Sequence, residues 1–271
     1  MPLGGSVAGY RSAAAYSGPG DAVSGAQGFW GARSYTLAAV GGTVIRLRRD
    51  SDNAEQDFVT ITGGGLDVAS ITTFKGAANL FTVTLYDQVG TNHATQATAA
   101  TQPPFTVSSP FNSLPALGDF GSTTWVTTGS VTNGHPVTVL GAVRIGTGAA
   151  GTSAWVNVAS GGFELRVNGS KQETLCANNA NLVIGTQTIS NNTSFVACAS
   201  YDGNNAAQYY NGASDNTGTN AIGITARTMG IGGNSAENWN GYIGEVISYG
   251  SILNSTQVAS LSSNARTFWG F

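Results

Sequence analysis

The chemistry open to this chain lies in a few carboxylates and one cluster of aromatic and polar residues. Glu164, Glu173, Glu237 and Glu245 fall in the second half of the sequence, and Glu237 stands two positions before Trp239. An indole ring beside amides and a carboxylate suits a sugar, whose C–H faces stack on the ring while its hydroxyls exchange hydrogen bonds with the polar groups. Asn234, Glu237, Asn238 and Trp239 are therefore candidate carbohydrate contacts, and Asp202 and Tyr209 complete the set. The competing reading makes Trp239 the closure of one end of a core. Glu245, inside an alternating run, reads as structural.

Other constellations exclude more than they offer. His93 and His135 are the only histidines, no Gly-x-Ser-x-Gly elbow occurs, and neither ring has a second ligand near it in sequence. Neither a hydrolase triad nor a zinc site follows, and no cofactor is expected. Arg46, Arg48, Arg49, Asp50, Asp52, Glu55 and Asp57 crowd together with nearly cancelling signs. That pattern suits a network pinning a strand to its following loop better than it suits a basic patch. Asp50-Ser51-Asp52-Asn53 begins like a calcium loop, but Glu55 and Ile61 stand where that loop needs its glycine and its last glutamate. Tyr86-Asp87-Gln88 reads as a buried polar junction. Cys176 and Cys198 read as buried thiols in neighbouring strands, with a single bridge open to them.

The elements that must position these residues are short strands. Phe163-Glu164-Leu165-Arg166-Val167, Ser194 to Tyr201 and Gly241 to Tyr249 alternate with a period of two, and Asn168-Gly169, Asp202-Gly203 and Asn211-Gly212 supply hairpin turns between such runs. Leu66, Ile71 and Phe74 space a short helix with Asp67 at its cap. Asn254-Ser255-Thr256-Gln257 opens a second helix through about Ala265, with Val258, Leu261 and Phe268 facing inward. Gln102-Pro103-Pro104 breaks regular structure, and the chain through Pro115 reads as irregular. The expectation is an all-β, concanavalin A-like jelly-roll sandwich of two antiparallel sheets over residues 29–271, with residues 1–28 as an N-terminal arm or docking segment.

Composition narrows the partners. Charged residues make up 9% of the 271-residue chain and the net charge is −3, against about 25% charged in an ordinary soluble domain. Nucleic acid is not an expected partner, because no surplus of Lys and Arg exists to displace counterions from phosphates. No apolar run approaches the ~20 residues of a membrane span. With 38 Gly the chain could be suspected of disorder, but 41% hydrophobic content with 5 Trp, 9 Tyr and 11 Phe supplies a core. Met1 to Ser6 carries no basic segment followed by an apolar stretch, so it does not read as a secretory signal.

Trp30-Gly31-Ala32-Arg33-Ser34-Tyr35, Ile45 through Asp57, Tyr86-Asp87-Gln88 and His93 through Ala97 form an ordered series that resembles the N-terminal half of the arabinofuranosidase B catalytic domain. Asp202-Gly203, Tyr209 through Ala213 and Ile231 through Val246 look like the closing strands of laminin-G-like jelly rolls, similar to those in tailed-phage proteins. The resemblance implies a retaining glycosidase's two carboxyls. It also places Asn234 where that family has its acid after a Gly-Gly pair, and Val167 at the position aligned with the other carboxylate. The family's vicinal cysteine pair is missing as well. From these departures the expectation is a chain that is not an enzyme. It would be a structural subunit on the surface of a tailed-phage virion, docked on other virion proteins and on copies of itself as a homo-oligomer, and touching cell-surface glycans weakly. The alternatives are an arabinofuranosidase-type hydrolase, with carboxylates drawn from Glu164, Glu173, Glu237 and Asp202, and an extracellular lectin-like adhesin domain.

Overall fold

Side chains that alternate between core and solvent give this chain its strands, and the strands stack in two layers. The computed structural model describes residues 15–120, 124–131, 134–147, 152–158, 162–177, 180–224, 227–234 and 237–271. The first part supplies β1 (Gly28–Gly31), β2 (Thr43–Arg49), β3 (Glu55–Val59), β4 (Leu80–Leu85), β5 (Ala94–Thr95), β6 (Pro104–Thr106) and β7 (Ala116–Phe120). There follow β8 (Val126–Val131), β9 (Val137–Ile145), β10 (Ser153–Val158), β11 (Phe163–Val167), β12 (Gln172–Ala177) and β13 (Ala180–Thr188). The last are β14 (Ser194–Tyr201), β15 (Asn205–Tyr210), β16 (Ala213–Thr219), β17 (Arg227–Ile231) and β18 (Gly241–Tyr249).

One antiparallel layer runs β1-β18-β9-β14-β15-β16. The other runs β13-β12-β11-β10-β17-β8. A smaller ladder of β3, β2 and β4 joins the second layer through β5 and the first through β6 and β7. This is the all-β jelly-roll class expected from the alternation. On β11 the rule is plain: Phe163, Leu165 and Val167 are buried in the core with their cross-strand neighbours Leu175 and Ala177. Their neighbours in sequence, Glu164 and Arg166, are thereby turned to the other face of the sheet.

Three helices close the sandwich: α1 (Pro19–Ala22), α2 (Val68–Lys75) and α3 (Ser255–Trp269). Asp67 caps α2 by accepting from Ser70 N at 3.1 Å, as its spacing predicts. Asn254 and Gln257 form a capping box on α3. That helix continues past Ala265 to Trp269, because Val258, Leu261, Ala265 and Trp269 extend one apolar stripe, and it stops at Gly270 in the left-handed region. Phe268, expected inside, is only partly covered. Of the expected N-terminal arm, residues 1–14 lie outside the described residues. The remainder packs on α3, where Tyr16 meets the edge of Phe268 at 6.0 Å and Asn264 Nδ2 donates to Ser17 O at 2.8 Å.

Two expectations are corrected. The segment after Gln102 is not wholly irregular, since Pro104 opens β6 between β4 and β7; a proline is tolerated as the first residue of a strand. Cys176 and Cys198 are buried and free, and they do not lie in neighbouring strands: β12 and β14 belong to opposite layers. The charge cluster is the expected local network. Asp57 takes both Arg46 Nε and Nη2 at 2.8 Å, and Arg49 binds Asp52. Asp87 is the expected buried junction, accepting from Phe29 N, Val89 N and Asn92 N.

Candidate active site

The outward face of the second layer carries a row of polar residues set by strand register. Asn157 on β10 pairs with Glu164 on β11, Glu164 with Cys176 on β12, and Cys176 with Asn181 on β13. Directly opposed residues on one face have touching side chains. The row continues to Gly230 on β17 and Thr127 on β8. Arg166, two residues after Glu164, shares its face. Cys176 Sγ donates to Asn181 Oδ1 at 3.1 Å, and burial pushes its thiol up to about 12.

A loop from β17 brings a second carboxylate over this row. Gly232 N donates to Trp155 O and Trp239 N to Gly232 O, both at 2.9 Å, which ties down both ends of the loop. Within it Asn234 N donates to Glu237 O at 2.8 Å while Asn234 Oδ1 accepts from Glu237 N at 2.9 Å. Two glycines let the loop lie flat. A Cβ on Gly230 would stand 2.1 Å from Gly233 O, and one on Gly233 would stand 2.1 Å from Glu237 O. The loop thus reaches the sheet through backbone, and Glu237 arrives beside Glu164.

Arg166 Nη1 lies 3.5 Å from Glu164 Oε1 and 3.4 Å from Glu237 Oε1, while Nη2 donates to Asn181 Oδ1 at 3.2 Å. Glu164 is the more enclosed acid, its side chain 10% exposed against 31% for Glu237. Burial first, then the hydrogen bond and the charge of Glu237, push the Glu164 carboxyl up to about 8; the pull of Arg166 in the other direction is smaller. Burial thus favours the protonated form of Glu164, and Arg166 Nη1 brings it close to a second carboxyl. One acid holding a proton beside another carboxyl is the equipment for breaking a glycosidic bond.

Asn157, the register partner of Glu164, also lines a small cavity of about 180 Å³ with Trp125, Thr127, Thr228, Gly230, Gly233 and Asn234; neither Glu164 nor Glu237 is among its lining residues. Trp125 is half-buried there and offers a ring beside amides and hydroxyls. It was not among the residues singled out from the sequence. Its position before buried Val126 puts it, with Thr127, on the outward face, so strand alternation was the available signal. Arg166, Asn157 and Asn181 were also missed, and for them the signal is register, which no local pattern shows.

The six candidates from the sequence divide. Asn234, Glu237 and Asn238 sit together on the loop, with Asn238 bridging to Gly233. Trp239 is fully buried and donates from Nε1 to Tyr242 O at 3.2 Å, so its ring presents no face to a ligand. Asp202 and Tyr209 line a different groove, of about 300 Å³, with Ser200, Asn205 and Thr217 on the other layer. The Asp202 carboxylate is engaged by Asn204 N, Asn205 N and Asn205 Nδ2. Of the remaining glutamates, Glu245 forms a buried ion pair with Arg33, and Glu173 is enclosed in the interior.

No family model and no curated protein matches the chain. Solved structures do. An arabinofuranosidase complexed with arabinofuranosyl-α-1,2-xylobiose superposes with a TM-score of 0.76 at 18% identity, over 93% of this chain and 65% of that one. The fold is that of the arabinofuranosidases. A family 54 α-L-arabinofuranosidase soaked with a cyclic sulfate inhibitor gives 0.72 at 17% identity, over 93% of this chain and 65% of that one. A Trypanosoma rangeli sialidase gives 0.52 at 15% identity, over 66% of this chain and 30% of that one. The chain thus spans about two thirds of the arabinofuranosidase length.

The expectation of a chain without enzymatic chemistry is corrected by these findings. It rested on Asn234 standing in the acid's place, whereas the solved structures that the chain matches include glycosidases, and the same loop presents Glu237 three residues further on, near Glu164. The virion-subunit expectation finds no support among the matches.

Proposed function

We propose that the chain is a glycoside hydrolase of arabinofuranosidase type, with Glu164 as the acid and Glu237 as the nucleophile. The observation that carries this reading is that one nitrogen, Arg166 Nη1, lies within 3.5 Å of both carboxyls. Two Oε1 atoms each within 3.5 Å of one nitrogen can stand at the ~5–5.5 Å of a retaining pair and fall short of most of the ~6.5–9.5 Å range that leaves room for an inverting water.

In the first step a Glu237 oxygen attacks the anomeric carbon, the bond to the leaving oxygen breaks, and the Glu164 proton passes to that oxygen. In the second, water attacks the same carbon and gives a proton to Glu164, and the ester bond to Glu237 breaks. The cavity beside Trp125 and Asn234 offers an indole ring, amides and hydroxyls of the kind a sugar ring uses. The fold likeness to arabinofuranosidases supports a furanoside.

The test is hydrolysis of 4-nitrophenyl α-L-arabinofuranoside and of an arabinofuranosyl-xylo-oligosaccharide. Glu237→Gln should abolish turnover of both. Glu164→Gln should cost about 100- to 10,000-fold on the oligosaccharide, where the leaving sugar needs a proton, and far less on the 4-nitrophenyl substrate. Activity on the oligosaccharide should fall as pH rises through about 8, where Glu164 loses its proton. Wild-type protein inert on both substrates, or unaffected by either substitution, refutes the assignment.

A further inference from the structure

Arg166 differs from the other ion-paired arginines of this protein. Arg46 and Arg33 each grip one carboxylate through Nε and Nη2 together, against Asp57 and Glu245. Arg166 offers a single nitrogen, Nη1, to two carboxylates at once. Both distances exceed the ~2.7–2.9 Å of a committed charge-assisted bond. Its Nε is buried and, among the described residues, has no hydrogen-bond partner. The side chain is nevertheless held, being 17% exposed, rooted on β11 and bonded through Nη2 to Asn181. A guanidinium fixed in place yet committed to neither acid is poorly suited to cementing the fold.

Resting on the reading of Glu164 and Glu237 as the hydrolytic pair, we propose that Arg166 is a positioning residue whose guanidinium stays with the pair's single negative charge as that charge passes from Glu237 to Glu164 and back. In the free protein burial favours the proton on Glu164, the more enclosed of the two acids. When Glu237 becomes an ester it is neutral, and Glu164, having given its proton to the leaving oxygen, is the carboxylate. Nη1 faces both, so the same cation serves both states without moving its backbone. The other titratable groups facing Glu164 are Glu237 from the loop and Cys176 from β12, and burial keeps the Cys176 thiol neutral through the working range. Arg166 is the one cation facing the pair among the described residues, so its removal should change proton sharing directly.

The experiment compares wild type, Arg166→Lys and Arg166→Met in two measurements. The first is a carbon-13 NMR titration of the glutamate carboxyls in the free protein, which needs no turnover. Loss of the cation should move the Glu164 midpoint upward in Arg166→Met, and Arg166→Lys should stay close to wild type. The second is the pH profile of oligosaccharide hydrolysis. Here kcat should fall on the order of a hundredfold in Arg166→Met with little change in KM, and Arg166→Lys should recover part of it. A Glu164 midpoint unmoved in folded Arg166→Met overturns the proposal, as does loss of activity of the same size in both variants. If wild type hydrolyses neither substrate the hydrolase reading fails, while the titration still reports whether Arg166 governs the pair.

Discussion

Glu164 makes stability depend on pH in a direction opposite to the usual carboxylate. Its proton is held to about 8 in the folded chain and released near 4.5 in the unfolded one, so the folded state binds more protons between those values. Stability should therefore fall as pH rises from about 4.5 towards 8 and remain lowered above it. Glu164→Gln, which keeps the shape and removes the titration, should melt a few degrees above wild type at alkaline pH, with the gain shrinking in mild acid. Calorimetry at the two extremes measures this, and an equal shift at both would refute it. Glu173 is the more extreme case. It is enclosed in the interior, and burial raises its carboxyl well above the usual range against a smaller pull from Gln208. Glu173→Gln should stabilise the alkaline protein as well. Sequence reading reached these acids as residue types but could not place both. Alternation in Phe163–Val167 already turns Glu164 outward, whereas Glu173 lies in no run singled out from the sequence, and it is the pairing of β11 with β12, which sets it opposite Val167, that shows it facing the core.

At the level of elements, the loop between β17 and β18 depends on bare backbone. Gly230→Ala would drive a methyl group to within 2.1 Å of Gly233 O and push Asn234 and Glu237 off the sheet. Hydrolysis should drop at least as far as in Glu164→Gln while circular dichroism retains the β spectrum. Retained activity would show that the loop can lift without losing the site. The cap of α3 gives a milder case: Asn254→Ala should cost about 1 kcal/mol of stability and leave activity alone. Elements of this kind were legible. Asp67 and Asn254 announced their helices, and Asn211-Gly212 announced a turn that does take up positive φ at both residues. The meeting of Glu164 with Glu237 was not legible, because strands distant in sequence must first align. The resemblance pointed to this loop through Asn234, and Glu237, three residues on, is the carboxyl that the loop brings to Arg166.

For the molecule as a whole, the Arg33–Glu245 pair is the internal fastening. Arg33 follows β1, Glu245 lies on β18, and Trp269 at the end of α3 donates from Nε1 to Glu245 Oε2 at 3.1 Å. The Arg33 guanidinium also stacks on Phe268, 4.7 Å from the ring centre. Removing one partner leaves the other as an uncompensated buried charge. Glu245→Ala should cost about 3–5 kcal/mol, and chemical denaturation should show it as a lowered midpoint. Trp269→Ala should cost a similar ~3–5 kcal/mol through its cavity. The paired change of Arg33→Met with Glu245→Leu should be far less harmful than Glu245→Ala alone, since no charge is stranded. A double variant as unstable as the single one would mean that packing, and not charge, governs this junction.

The polar row from Thr127 to Asn181 crosses six strands, and every one of its members has at least one core residue beside it in sequence. A combinatorial library could therefore rewrite the recognition floor at alternate positions without altering a single inward methyl group. The residues of this outward face should be open to redesign with little sacrifice of thermal resistance.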